Sequence, residues 1–281
     1  MKNKIKFLGF IAVMAIVFSM AACDDGDNND NNDNNNNNNN NNGEKGPREV
    51  VDTIHSYNAN GELTGYYKYE YDSKGNATKF SSYLANGNLF RYTEYEYDGN
   101  TTKLSTYNAN GELTGDYVVE YEYDSKGNQT KFRRYNANGE LTTYQEYEYD
   151  SKGNNTKIST YNANGELISY WEYEYDSKGN TTKQSSYNAN GELIGRIEYE
   201  YDSKGNQIKS RSYQNGELIG YSVSEHDGNT TKSSTYDANG ELTGHQEHEY
   251  DSKGNLTKWS VYNANGELQS YTIYKYKTIT L

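Results

Sequence analysis

The chain has 281 residues, 27 of them basic and 40 acidic, for a formal net charge of −13. That charge repels a phosphate backbone and argues against nucleic acid as a partner. Only 32% of the residues are hydrophobic even with 32 tyrosines counted, too little Val, Ile, Leu and Phe for two thick layers packed face to face.

Residues 1–22 have the pattern of a secretion signal: Lys2, Lys4 and Lys6, an apolar run from Phe7 to Met20, then Ala21 and Ala22 before Cys23. The run is shorter than the ~20 residues that cross a bilayer, and it ends in small residues, as a cleavage site requires. Met20-Ala21-Ala22-Cys23 resembles the bacterial lipobox. That resemblance implies a lipid on Cys23 (palmitate among its acyl chains) and membrane attachment through it. Residues 23–48 follow as the lipidated cysteine and a disordered tether, almost entirely Asn, Asp and Gly up to residue 43 and with an unbroken Asn run from 34 to 42.

From residue 49 to 281 two phrases alternate, Asn-Ala-Asn-Gly-Glu-Leu in nine near-copies and Tyr-Asp-Ser-Lys-Gly-Asn in eight, usually repeating every 26 residues. Such a period marks a tandem architecture whose units bury one another's faces. Both phrases are turn chemistry, opening on a side chain that bonds the backbone two residues on and containing a glycine suited to positive φ. Between them run period-two segments rich in Tyr, Thr and Ile, such as Leu167 to Tyr175. The expected fold is all-β: about 18 strands in an antiparallel hairpin meander, forming one extended or coiled sheet. An open meander leaves two edges, so oligomerisation by edge-strand pairing is expected.

Register follows from charge. If the tyrosine before each Asp-Ser-Lys-Gly turn faces the asparagine after it, Glu120 faces Lys131, Glu146 faces Lys157, Glu172 faces Lys183, Glu198 faces Lys209 and Glu247 faces Lys258. The shortened copy at Tyr97-Asp98-Gly99-Asn100 sets Glu94 against Lys103, while Lys68 opposite Lys79 and Val223 opposite Lys232 break the rule. Glu and Lys then share one face. The other carries the column Tyr69, Tyr95, Tyr121, Tyr147, Tyr173 and Tyr199, together with the phrase leucines.

The segments Tyr121 to Asn128, Tyr147 to Asn154, Tyr173 to Asn180 and Tyr199 to Asn206 read Tyr-Glu-Tyr-Asp-Ser-Lys-Gly-Asn. They resemble the YD repeats of RHS-type bacterial surface proteins, which implies a long sheet that spirals, in a surface context. Looser resemblances are to MORN-like repeats and to cell-wall or glucan-binding repeats.

No single-copy constellation stands out. His245 and His248 are three apart and on a strand point to opposite faces, so they do not share an ion. No nucleophile elbow, phosphate loop or His-Glu-x-x-His occurs. Neither catalytic residues, metal ligands nor cofactor are expected, and the chain reads as non-enzymatic. The function expected is that of a lipid-anchored envelope protein, at the outer membrane or cell surface more than the inner membrane. Its tyrosine-rich surface would bind a polysaccharide or a surface protein through Tyr121, Tyr147, Trp171, Tyr173 and Tyr199. The alternatives are a spacer or coat protein without a dedicated ligand, or a toxin-associated or immunity repeat protein.

Overall fold

The full-length turns that open on Asp or Asn close a hairpin through that side chain. In Asp150 to Asn154 the Asp150 amide donates to the Asn154 carbonyl (2.9 Å) and the Gly153 amide to the Asp150 carbonyl (3.1 Å). The Asp150 carboxylate also accepts from the Lys152 and Asn154 amides, both at 2.9 Å. Asn162 to Glu166 repeats the same bonds with asparagine in the first place. In both turns the glycine takes φ of 85–90°, a conformation other residues rarely adopt.

The computed structural model describes residues 47–279. The leader, Cys23 and the Asn/Asp-rich tether lie outside the described residues. The strands are β1 (Arg48–Asn58), β2 (Leu63–Tyr71), β3 (Ala77–Leu84), β4 (Leu89–Asp98), β5 (Thr101–Asn108), β6 (Leu113–Tyr123), β7 (Gln129–Asn136), β8 (Leu141–Tyr149) and β9 (Asn155–Asn162). They continue as β10 (Leu167–Tyr175), β11 (Thr181–Asn188), β12 (Leu193–Tyr201), β13 (Gln207–Gln214), β14 (Glu217–Asp227), β15 (Thr230–Asp237), β16 (Leu242–Tyr250), β17 (Leu256–Asn263) and β18 (Leu268–Ile279).

Consecutive strands pair antiparallel, and β1 also pairs β18 from Arg48↔Ile279 to Asn58↔Ser270. The sheet is therefore a closed barrel of 18 strands. This corrects three expectations at once. The meander is not an open, extended or coiled sheet; it is not the spiral implied by the YD/RHS resemblance; and it has no free edge for pairing between molecules. The physical reason is that the last strand satisfies the first strand's outer ladder, which removes the edges. The Lys277–Asp52 (2.9 Å) and Lys253–Glu49 (2.7 Å) ion pairs lie beside that seam.

The register differs from the expected one by a residue pair. Closing the turn at Asp and Asn, with a bulge just after it, sets Lys131 against Glu122 rather than Glu120. The same shift sets Glu70 on Lys79, Glu96 on Lys103, Glu148 on Lys157, Glu174 on Lys183, Glu200 on Lys209, Glu225 on Lys232 and Glu249 on Lys258. Every hairpin of this type now obeys the charge rule, including the two that had broken it. A shift of two leaves the Glu/Lys residues and the tyrosine column on opposite faces. The expected place of the phrase leucines is corrected: the bulge beside each Asn-Gly turn sets them opposite outer tyrosines, Leu167 on Tyr161 and Leu193 on Tyr187, and not on the face of the tyrosine column.

Antiparallel order puts the nine Asn-Gly turns at one rim and the eight Asp-Gly turns, with both ends of the described chain, at the other. Eighteen strands ~4.8 Å apart and tilted ~40° close on a ring roughly 36 Å across. Only nine described residues are buried: Val50, Val51, Leu104, Val119 and the serines 81, 105, 159, 185 and 260. Each strand touches only its two neighbours. Among the described residues, no side chain bridges the interior from one wall to the other. A closed barrel of this kind is consistent with an outer-membrane or cell-surface location.

Candidate functional site: the inner wall

The tyrosine column faces inward. Burial pushes the Tyr69, Tyr121 and Tyr147 hydroxyls up to about 12 and raises those of Tyr95, Tyr173 and Tyr199. Neighbouring hydroxyls raise them further between strands two apart: Tyr274 acts on Tyr69, Tyr69 on Tyr95, and Tyr199 on Tyr173. Side chains two strands apart approach one another on the concave side of a curved sheet.

From β2 to β17 the inward positions carry no Lys, and their acidic residues are confined to the Asn-Gly rim, at Glu217 opposite Gln214 and Asp237 opposite Gly220. Arg91 and Arg134 are the basic residues there, also close to the Asn-Gly rim, and Arg134 lies over the Tyr117 ring at 4.4 Å. The wall is otherwise Tyr, Thr, Ser, Gln and Asn with Phe80, Phe132, Trp171, Trp259, two histidines, glycines and a few aliphatic residues. The outer face is its opposite. There Lys79 pairs with Glu94 (3.0 Å), Lys131 with Glu146 (2.9 Å) and Lys183 with Glu174 (2.8 Å). Tyr144 stacks on Tyr161 and Tyr170 on Tyr187, with centroids 4.8 and 4.7 Å apart.

The five residues singled out from sequence, Tyr121, Tyr147, Trp171, Tyr173 and Tyr199, all stand on the inner wall. Tyr147 donates to Gln145 Oε1 (2.8 Å) and Tyr199 to Gln184 Oε1 (3.1 Å). Tyr121 packs tilted against Phe132 at 5.5 Å. They follow the curve of the wall from β6 to β12 and do not converge on one point. Trp171, on β10, is 36% exposed.

The turn tyrosines have a role that no local pattern marks. Tyr71, Tyr97, Tyr149, Tyr175, Tyr201 and Tyr276 each donate to the carbonyl twenty residues back, at 2.6–2.9 Å. The acceptors Ala77, Gln129, Asn155, Thr181 and Leu256 directly follow a turn, at the bulge that interrupts the ladder. His226 Nε2 reaches the Gln207 carbonyl at 2.9 Å in the same way, while its Nδ1 accepts from Thr231 at 3.0 Å. Tyr123 and Tyr250 follow the two shortened turns, which have no bulge, and make no such bond. These are staples that join one hairpin to the next.

The histidines are parts of the wall. His245 stacks on Tyr262 at 4.4 Å outside, and His248 on Trp259 at 5.9 Å inside, where burial lowers its pKa. Among the described residues no group of three or more His, Cys, Asp or Glu is arranged to hold a metal ion.

A family model described as a protein of unknown function (DUF2963) matches residues 161–212, from the end of β9 into β13. No curated protein matches the chain. Among solved structures, a porin-like protein from Bacteroides uniformis is 13% identical, with 81% of this chain and 98% of that one covered and a TM-score of 0.36. A porin-like protein from Bacteroides vulgatus is 15% identical over the same shares, with a TM-score of 0.39. The Tc holotoxin pore of Photorhabdus luminescens is 14% identical over 72% of this chain and 15% of that one, with a TM-score of 0.20. Likenesses this distant carry no functional argument, and the barrel assignment rests on the β1–β18 ladder.

Proposed function

We propose that the chain is a non-enzymatic envelope barrel whose repeated tyrosines build a rigid wall and whose hollow interior, lysine-free from β2 to β17 and charged there only near the Asn-Gly rim, binds or passes uncharged polar guests. The observation that carries this reading is the segregation of charge, with Glu and Lys outside and Tyr, Thr, Ser and Gln inside. The outer and turn tyrosines are occupied in ring stacks and staples. That supports the structural, coat-like reading over a flat adhesive platform.

The same segregation bears on location. A lysine facing lipid near the bilayer midplane costs about 2–4 kcal/mol. An outer face with a lysine in every second strand from β3 to β17 therefore favours a barrel seated at the cell surface over one embedded in lipid.

Ser210 faces inward opposite Tyr199, and Ser210→Cys is nearly isosteric. In the folded full-length protein, a neutral maleimide is expected to label that cysteine faster than anionic or cationic maleimides of similar size. Asn164→Cys, at the exposed rim, is expected to react with all three. An unreactive Ser210→Cys in folded protein would mean a closed interior and would refute the reading.

A further inference from the structure

We propose that the inner wall around Trp171 is a subsite for one ring of a neutral sugar, an inference that rests on the guest-binding interior described above. The repeats are near-copies, yet this position is not. The equivalent inward residues include Val119 on β6, Gln145 on β8, Ile197 on β12 and Ser222 on β14; the other aromatic one, Tyr67 on β2, is already stacked on Phe80. Trp171 is the indole in that series. Its side chain makes no hydrogen bond and no ring contact with the rest of the described chain, and it is 36% exposed. By contrast Trp259, the other indole, is stacked on His248.

What surrounds Trp171 has the shape of a recess. On one side Ile158 pairs with both Trp171 and Tyr147, making a continuous apolar and aromatic row across β8, β9 and β10. On the other, Trp171 pairs with Ser186 and Ser186 with Gly195, so the wall falls away to a hydroxyl and a residue with no side chain. Ser186 Oγ donates to the Gly195 carbonyl at 3.2 Å and keeps its lone pairs for a guest hydroxyl. Tyr173 stands two residues along the same strand and adds a second ring edge.

This chemistry selects a class of guest. A pyranose has one face of C–H bonds, which covers an indole, and a rim of hydroxyls, which suits Ser, Thr, Tyr and Gln. A carboxylate or ammonium brought to this wall would lose its water with no counter-charge nearby, since the nearest inward charge towards β6, Arg134 on β7, lies three strands from β10 and already covers Tyr117. Acidic and basic sugars are therefore disfavoured relative to neutral ones.

The test uses the full-length protein carrying Trp259→Phe, so that Trp171 is its one indole. Titration with maltohexaose and with cellohexaose is expected to change the indole emission saturably for at least one of them, and oligogalacturonate is not. Trp171→Ala, followed by equilibrium dialysis with labelled sugar, is expected to weaken binding by about tenfold, whereas Trp171→Tyr retains most of it. Melting temperatures report whether each variant is folded. Oligogalacturonate bound as tightly as the neutral sugars would overturn the assignment of class, and undiminished binding by folded Trp171→Ala would overturn the subsite. If neither neutral sugar binds while Ser210→Cys still takes up the neutral maleimide, the sugar inference fails and the open interior survives. An unreactive Ser210→Cys removes both.

Discussion

At the scale of single residues, the tyrosines divide by position into three roles. The outer ones stack in cross-strand pairs, the inward ones are desolvated and line the interior, and the turn ones staple hairpins through carbonyls that a bulge leaves free. The staples are individually modest. Removing the Tyr175 hydroxyl, which bonds the Asn155 carbonyl at 2.6 Å, is expected to cost about 1 kcal/mol in a denaturant titration of Tyr175→Phe. Tyr123→Phe, which breaks no staple, is expected to change stability by less than ~0.5 kcal/mol. Equal losses in the two variants would argue against the stapling role.

The turn aspartates make the fold sensitive to acid. Asp124, Asp150, Asp176, Asp202 and Asp251 are held below the ordinary carboxylate range, first by the side-chain amide of the asparagine four residues on and then by backbone amides. Because the folded state binds these protons more weakly, their contribution is complete above the unfolded value of about 3.9 and is lost as pH falls through the lower folded value. Asp150→Asn keeps an acceptor for the Lys152 and Asn154 amides but does not titrate there. Thermal melts across the acid range are expected to show a shallower loss for this variant than for the parent.

At the scale of the hairpin, turn length and bulge together set the register. The copy Gln214-Asn215-Gly216-Glu217 is one residue shorter than its siblings, yet Leu218 still faces Tyr213, because the loop shrinks to two residues with Asn215 at φ 49° and Gly216 at φ 86°. A β-branched residue is poorly tolerated in that left-handed region. Asn215→Val is expected to destabilise the protein by about 1–2 kcal/mol, and Asn215→Gly to be neutral or nearly so, in parallel denaturant titrations. The facing of the strands between their bulges was legible in the sequence through period two and the Glu–Lys match, whereas the phrase leucines, beyond a bulge, were expected on the wrong face. The partner of each lysine was not, because the bulge adds one unpaired residue that no local pattern marks.

At the scale of the whole molecule, closure is the governing fact. Excising residues 150–175, a complete pair of turn and strand units, removes two neighbouring strands and leaves an antiparallel ring of sixteen able to close. That variant is expected to stay folded, with a radius smaller by about a tenth in small-angle scattering. Removing β18 (Leu268–Ile279) instead opens the ladder on β1 and β17. It is expected to shift the protein to concentration-dependent association in sedimentation, as exposed strand edges do.

The sequence by itself determined the number and direction of the strands, the turn chemistry and the split between a charged and a tyrosine-rich face, because each is encoded within one repeat. It also placed Tyr121, Tyr147, Trp171, Tyr173 and Tyr199 on one face. Closure was decided only in the tertiary structure. Whether β18 meets β1 depends on twist and tilt accumulated over all the strands, and near-identical repeats contain no mark of their place in that sum. The hollow interior follows from closure. So does the inward direction of the tyrosine face, which turns residues that looked like an exposed platform into the lining of a lumen.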